Sequence, residues 1–194
     1  MSRLEDLQQR VAWLFEARSP SRNDWADWLW AEHQPYVAHA ARELAVRFGA
    51  NVELAEASGW LHDIADAVMS RFADGHEEAS ITMARQIMYD VGYSQDDVAI
   101  VVDDALRLHS CYDGKAPRSL EGKVLATADA LAHLKTDFYS SAAQRLVKEM
   151  SPQEIKNYAL KKSARDFNDK IRFDEVREET RADYERIKNY FSRL

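Results

Sequence analysis

The sequence predicts an all-α, single-domain helical bundle, and three observations favour this class. Only six Gly and four Pro occur among 194 residues, so few positions interrupt a helix. Strand-like alternation of apolar and polar residues is nearly absent. Hydrophobic residues make up 46% of the chain, which is enough for a sizeable core in a chain of this length.

The composition bears on three properties of the protein: its partners, its disulfides and its contact with membranes. A formal net charge of −7 argues against a nucleic-acid polymer as the main partner, because surfaces that bind such polymers are basic. Cys111 is the single cysteine, so no internal disulfide can form, which fits a reducing cytoplasm. The N-terminal segment is acidic and amphipathic, and no apolar run reaches about 18 residues. We expect a cytoplasmic protein without membrane contact, and a homodimer stays open.

Capping residues divide the first two thirds of the chain into helices. Asn51 is a favourable N-cap, and Asp74 with Glu77 matches a capping box. Ser119 is the expected cap of a later helix. In chain order, we expect helices over about 4–17, from near Asn23, from about Pro35 to Gly49, and over 51–69, 74–92, 94–110 and 120–134. His33 then lies at the entrance of the third helix.

The remainder of the chain, from about residue 138, is highly charged. Apolar residues such as Ile171, Val176 and Ile187 recur at loose helical spacing, which predicts a long or broken helix with a solvated face. Lys170 is interpreted as part of that face, and its reach into the site is the alternative. The segment has too few apolar residues for a core of its own. We therefore expect one helical domain over 1–194, with its core at about 30–135 and the segments 1–30 and 136–194 packed on it.

The segment GWLHDIADA, residues 59–67, places His62 and Asp63 in the middle of an apolar run. Burying both polar side chains costs several kcal/mol unless partners satisfy them. His33 and Asp129 come from other predicted helices, and side chains of facing helices can converge on a buried cation. Imidazole combined with carboxylate suits Mn, Fe, Co, Ni or Zn better than Ca.

Five segments carry a resemblance to a known family: EHQPYVAHAARELA, ASGWLHDIAD, GHEEASITMARQI, LRLHS and LEGKVLATADALAHL. Together they cover roughly residues 30–135 and resemble the HD-domain superfamily of metal-dependent phosphohydrolases. The resemblance implies a helical bundle of the HD-domain type. It implies a set of metal ligands made of His33, His62, Asp63 and Asp129. It further implies a second metal position near His76 and His109.

The activity that the resemblance implies is the hydrolysis of a phosphate ester. A bound divalent metal lowers the pKa of its water and supplies a hydroxide that attacks phosphorus, and His62 and Asp63 would hold that metal. We expect one or two divalent transition metals per chain (Mn, Fe, Co, Ni or Zn, with Mg open). The expected substrate is a small phosphate ester or a nucleotide. Lys115, Arg118 and Lys123 are candidates for contact with its phosphate.

Two alternatives to hydrolysis stay open. A minority of the superfamily holds two irons with four His and two Asp and activates dioxygen, and the six residues named above supply that number. The other alternative is a non-catalytic binding module that keeps the metal for stability. His39 and His133 are interpreted as hydrogen-bonded core residues rather than metal ligands.

Overall fold

Helices form all of the regular secondary structure in the described part of the chain. The computed structural model describes residues 2–22 and 25–193, and it contains no strand within those ranges. The prediction of an all-α fold is confirmed. The expected start of the second helix near Asn23 lies outside the described residues. The α-helices are α1 (Arg3–Glu16), α2 (Ala26–Trp28), α3 (Gln34–Phe48), α4 (Val52–Leu61), α5 (His76–Asp90), α6 (Gln95–Val98), α7 (Leu120–Lys135), α8 (Phe138–Leu146), α9 (Pro152–Arg165) and α10 (Asp174–Ser192).

Three stretches of π-helix adjoin these α-helices. Leu29–His33 joins α2 to α3 without a break, Ala99–Leu106 continues α6, and Asp166–Lys170 continues α9. A π turn widens the helix by one residue per turn and redirects the side chains beyond it, and such turns are frequent at functional sites. Two of these three stretches end at His33 and Lys170. Both side chains contact the buried carboxylate of Asp129.

Two of the expected helix starts have the expected caps, and one does not. Asn51 accepts a hydrogen bond from the backbone of Leu54, and Ser119 accepts one from the backbone of Gly122. The capping box predicted at Asp74 does not form. Gly75, at φ 82°, precedes α5 instead, and the helix begins at His76 with no side-chain cap. Glycine adopts this left-handed conformation at no steric cost, so the chain turns into α5 one residue later than expected.

The prediction of a continuous helix from residue 51 to residue 69 is wrong. Helix α4 ends at Leu61, His62 is extended (φ −64°, ψ 138°), and Asp63 is left-handed. A short 3₁₀ turn, Ile64–Ala67, follows. The apolar residues on both sides of the break are buried, which is why the run reads as helical in sequence. The break means that His62 and Asp63 do not occupy neighbouring positions of one helix.

Helix α7 lies at the centre of the bundle. It packs against α3, α4, α10 and both later π segments, and nearly all of its side chains are buried. Helices α3 and α4 also pack closely on each other. A Cβ atom added at Gly59 would lie 2.5 Å from Cα of Ala38, a separation that real structures do not show. The absence of a side chain at Gly59 therefore sets the distance between the two helices whose ends carry His33 and His62.

The C-terminal extension is more buried than its charge suggests. Helices α9 and α10 pack on each other, and Asp166–Lys170 packs on α7. Phe167 and Ile171 are buried and anchor the segment, so the predicted solvated face is wrong here. Asp166 and Lys170 are buried with them, each beside an opposite charge. In the described ranges, no helix combines the length and the low polarity that crossing a bilayer requires.

Candidate metal centre

Three buried side chains from separate parts of the fold converge at one point. His33 ends the π turn before α3, His62 follows α4, and Asp129 lies in the middle of α7. Nε2 of His33 lies 3.1 Å from Nε2 of His62 and 3.3 Å from Oδ1 of Asp129. Nε2 of His62 lies 3.9 Å from the same oxygen. One ligand atom from each residue lies within 4.8 Å of the others, so the three could hold a metal ion.

The rings of His62 and His109 are oriented by the same type of local contact. Nδ1–H of His62 donates to the carbonyl of Gly59 at 2.6 Å, and Nδ1–H of His109 donates to the carbonyl of Leu106 at 2.6 Å. Because a carbonyl only accepts, Nδ1 carries a proton in both rings, and the lone pair of a neutral ring is then on Nε2. Metal-binding histidines are commonly fixed by such a second hydrogen bond.

The chemistry of the three-residue cluster fits a divalent transition metal. Ligand atoms bound about 2.1 Å from one ion are about 3.0–3.4 Å apart, which is close to the separations of 3.1 and 3.3 Å made by Nε2 of His33. Oδ1 of Asp129 is buried and accepts no hydrogen bond from any described residue. Burial lowers the pKa of His33, so its ring is neutral and able to bind a metal at neutral pH.

Asp63 lies beside this cluster and is paired with the guanidinium of Arg71. Its φ of 52° places it in the left-handed region, which few residues other than glycine adopt. Its Oδ2 forms an ion pair with Nη2 of Arg71 at 3.0 Å, and its Oδ1 lies 3.9 Å from Nε2 of His109. Burial alone raises the pKa of Asp63, but Arg71, His109 and His62 together outweigh burial, and the pKa falls below its ordinary value. The role of Asp63 as a metal ligand stays a prediction.

His76 is paired with a carboxylate that the sequence analysis did not single out. Its Nε2 lies 3.0 Å from Oδ1 of Asp66, and Arg71 forms an ion pair with Oδ2 of the same side chain. Within residues 2–22 and 25–193, His76 and His109 do not form a second cluster with metal-ligand spacing. A second metal at these two histidines therefore stays a prediction, and it would require Arg71 to give up part of its contacts.

A buried polar network lies behind Asp129. Lys170 forms an ion pair with its Oδ2, and Nε2 of His133 lies 3.3 Å from its Oδ1. Nδ1 of His133 in turn lies 3.1 Å from Asp166, which also lies 3.5 Å from Nζ of Lys162. Burial alone raises the pKa of Asp129, but His133 and Lys170 lower it well below its ordinary value. Asp129 is therefore an anion throughout the neutral range.

Sequence reasoning missed several members of this network. It also placed His39 in the core, which is wrong because the side chain of His39 is 71% exposed on α3, whereas His133 is buried as expected. His133 follows Asp129 by four residues, which places the two on one face of α7, so that spacing could have indicated the contact. Lys170 and Asp166 carry no such signal, because they are far from Asp129 in the chain and belong to a segment with the composition of a surface helix. Arg71 lies in a loop after the 3₁₀ turn, where no regular spacing relates it to Asp63.

A cavity of about 460 Å³ opens over Asp129 and Asp63, within the size range of small-molecule sites. Six cationic side chains line it: Arg71, Arg107, Lys161, Lys162, Arg165 and Lys170. Among the described residues, three acidic ones line it: Asp63, Glu77 and Asp129. The cavity is therefore locally basic in a protein whose formal net charge is −7, and it favours an anionic ligand.

The structure places the three predicted phosphate contacts elsewhere. Lys115 is exposed and lines a neighbouring cavity rather than this one. Arg118 is exposed, and its backbone N–H donates to Asp104 at 3.0 Å. Lys123 lies in the first turn of α7 and does not line the cavity. In this structure the cations that line the cavity come from residues 71 and 107 and from the C-terminal extension.

Comparison with known proteins adds independent findings. The family model described as "HD domain" matches residues 30–134. Ribonuclease Y of Symbiobacterium thermophilum is 27% identical over 124 residues, which cover 63% of this chain and 22% of that protein. Ribonuclease Y of Campylobacter hominis is 28% identical over 130 residues, 67% of this chain and 23% of that protein. The chain thus spans about a fifth of the length of these relatives. No solved structure gives a significant match.

Proposed function

The chain belongs to the HD-domain family, and on this premise we propose that it is a metal-dependent phosphohydrolase that acts on a small phosphate ester or a nucleotide. The observation that carries the proposal is the convergence of His33, His62 and Asp129 beside a cationic cavity. A buried imidazole–carboxylate cluster supplies metal ligands, and the adjoining cations match the negative charge of a phosphoryl group.

His33, His62 and Asp129 would hold the metal in this proposal, and Asp63 is the fourth proposed ligand. A divalent metal bound there would supply a coordinated water of lowered pKa and positive charge opposite the phosphoryl oxygens. The hydrogen bond from His62 to Gly59 keeps Nε2 free to bind. The lowered pKa of His109, caused by burial, keeps the ring of His109 neutral. Lys162 and Lys170, which line the cavity, would orient phosphoryl oxygens.

A phosphodiester bond in RNA is a second candidate substrate. The similar proteins named above are ribonucleases Y, and each aligns with this chain over only part of its own length. The basic lining of the cavity also suits a single-stranded end of RNA. The net charge of −7 favours the small substrate, because proteins that bind nucleic-acid polymers have a basic patch or an overall basic composition.

Metal analysis followed by a substrate panel tests the proposal. The full chain, loaded with Mn or Fe, would be offered phosphate monoesters, phosphate diesters, nucleotides and single-stranded RNA. We expect phosphate or nucleotide release that Asp129→Asn abolishes together with metal binding. His39→Ala is the matched control, since its side chain is 71% exposed and lies away from the cluster. Oxygen consumption by the iron form without phosphate release would indicate the oxygenase, and stable metal binding with neither activity would indicate a binding module.

A further inference from the structure

One face of α9 forms a wall of the cavity. Tyr158, Lys161, Lys162 and Arg165 all line it, and they follow one another at the spacing i, i+3, i+4 and i+7. This spacing places them on a single stripe of the helix. Helix α9 lies outside residues 30–134, the part that matches the HD-domain model. The wall is therefore a feature of the C-terminal extension of this chain.

Most of the cations that line the cavity already have carboxylate partners. Four pairs are formed: Lys170 with Asp129, Lys162 with Asp166, Arg71 with Asp63, and Arg107 with Glu78. Each of these side chains is charge-compensated within the protein. A ligand that approaches them competes with an existing ion pair.

Lys161 and Arg165 differ from the other four. Neither forms an ion pair with any carboxylate in the described ranges of the chain. The guanidinium of Arg165 lies 3.9 Å over the ring of Tyr112, and its buried Nε has no hydrogen-bond partner among the described residues. Stacking on an aromatic ring holds the planar guanidinium in one orientation, which suits it to bind an anion through two nitrogens.

We propose that Lys161 and Arg165 form a binding subsite for a second phosphoryl group of the substrate, next to the group that reacts at the metal centre. The assignment of this anion to a substrate rests on the proposed function. The reacting group is served by Lys162 and Lys170, which contact the network around Asp129. A cavity of about 460 Å³ leaves room beyond one phosphoryl group. The preferred substrate then carries two phosphoryl groups, either in one diphosphate or at two positions of a nucleoside.

Binding to the full chain after metal removal by a chelator tests this subsite without turnover. The probes are AMP, ADP and adenosine 3′,5′-bisphosphate, and the measurement is isothermal titration calorimetry. We expect at least one two-phosphate probe to bind about ten-fold or more tighter than AMP, since a charge-assisted contact to phosphate has that magnitude. Preference for ADP would indicate adjacent phosphoryl groups, and preference for the bisphosphate would indicate separated ones.

The double variant Lys161→Ala/Arg165→Ala should lower the affinity for the preferred two-phosphate probe to about that for AMP. The variant Arg118→Ala/Lys123→Ala is the control, because it removes the same charge from two residues outside the cavity lining. Thermal unfolding of both variants checks that the fold is retained. Initial rates on the metal-loaded chain should show a raised KM for the two-phosphate compound only.

Equal affinity of the wild type for all three probes would overturn the subsite, and so would an equal loss in the control variant. Arg165→Lys distinguishes stacking from charge alone, because it keeps the charge and loses the planar fork; we expect an intermediate affinity. These results are independent of the hydrolysis panel. Tight binding of a two-phosphate probe in a chain that hydrolyses nothing would leave the subsite standing and refute the proposed function.

Discussion

The ammonium group of Lys170 forms an ion pair with Oδ2 of Asp129 in the interior of the bundle. The two residues are 41 positions apart in the sequence. Both side chains are buried. Nζ of Lys170 also lies 3.9 Å from Oδ1 of Asp166, which accepts no hydrogen bond from the described residues. Lys170 thus supplies positive charge next to the carboxylate that is proposed to bind the metal, and a second carboxylate lies within its reach.

Lys170→Met should destabilise the metal-free protein more than the metal-loaded protein. Removing one partner of a buried ion pair costs about 3–5 kcal/mol, because the remaining charge is left uncompensated. A bound divalent metal would compensate Asp129 in its place. Urea denaturation with and without Mn measures the difference. Lys135→Met is the control, since Lys135 lies 4.0 Å from Asp183 in a partly exposed pair. An equal loss in both forms would show that Lys170 and the metal do not share Asp129.

The wild-type chain should bind one metal tightly and a second metal more weakly. The tight position would be the cluster of His33, His62 and Asp129, with Asp63 as the fourth proposed ligand. The second, near His76 and His109, requires Arg71 to loosen from Asp63 and Asp66, so its affinity is lower. Titration with Mn, followed by elemental analysis after gel filtration, measures the stoichiometry.

A double variant His76→Ala/His109→Ala should retain the first metal and lose the second. Arg71→Gln should instead strengthen the binding of the second metal, because it removes the cation that is paired with Asp63 and Asp66 beside these histidines. A wild-type stoichiometry that stays at one under saturating metal would refute the second position and the oxygenase alternative with it.

The metal-free protein should lose stability as the pH falls below about 6.5. Burial lowers the pKa of His133 to about 3, whereas an unfolded histidine titrates near 6.5. Between these values the unfolded chain binds a proton that the folded chain does not, so the free energy of unfolding falls as the pH falls. Each such histidine contributes at most about 1.4 kcal/mol per pH unit. His33 and His109, whose pKa values burial also lowers, act in the same direction.

His133→Gln should therefore give a shallower dependence of stability on pH between about 6.5 and 4.5. Guanidinium denaturation at a series of pH values, in the presence of a chelator, measures the slope. His39→Gln is the matched control, because its ring is exposed. An unchanged slope in His133→Gln would mean that the folded protein protonates this ring.

Gly59→Ala should disturb both stability and metal binding. The new Cβ would lie 2.5 Å from Cα and 2.9 Å from the backbone nitrogen of Ala38, so α3 and α4 would have to separate. Overpacking of this kind costs about 1–3 kcal/mol or more. Because His33 and His62 lie at the ends of these helices, metal affinity should fall as well. Val46→Ala, at an exposed position of α3, is expected to change neither. Native metal affinity in Gly59→Ala would contradict this coupling.

The sequence by itself determined the fold class and the residues of the central cluster. Scarce Gly and Pro, the cap at Asn51 and the cap at Ser119 are local signals, and a helix begins directly after each of the two caps. The ordered pattern of His33, His62 and Asp129 singled out the three side chains that the fold brings together. Such signals are readable because neighbouring residues along the chain decide helical periodicity and capping.

Only the tertiary structure decided which charges surround that cluster. The helix breaks at His62, where the ring donates to Gly59 and the apolar residues beyond it are buried. The burial of Lys170 against Asp129, and the direction of the cationic face of α9, depend on how the C-terminal extension packs on α7. Composition marks that extension as solvated, because a charged side chain looks the same in sequence whether water or an opposite charge stabilises it.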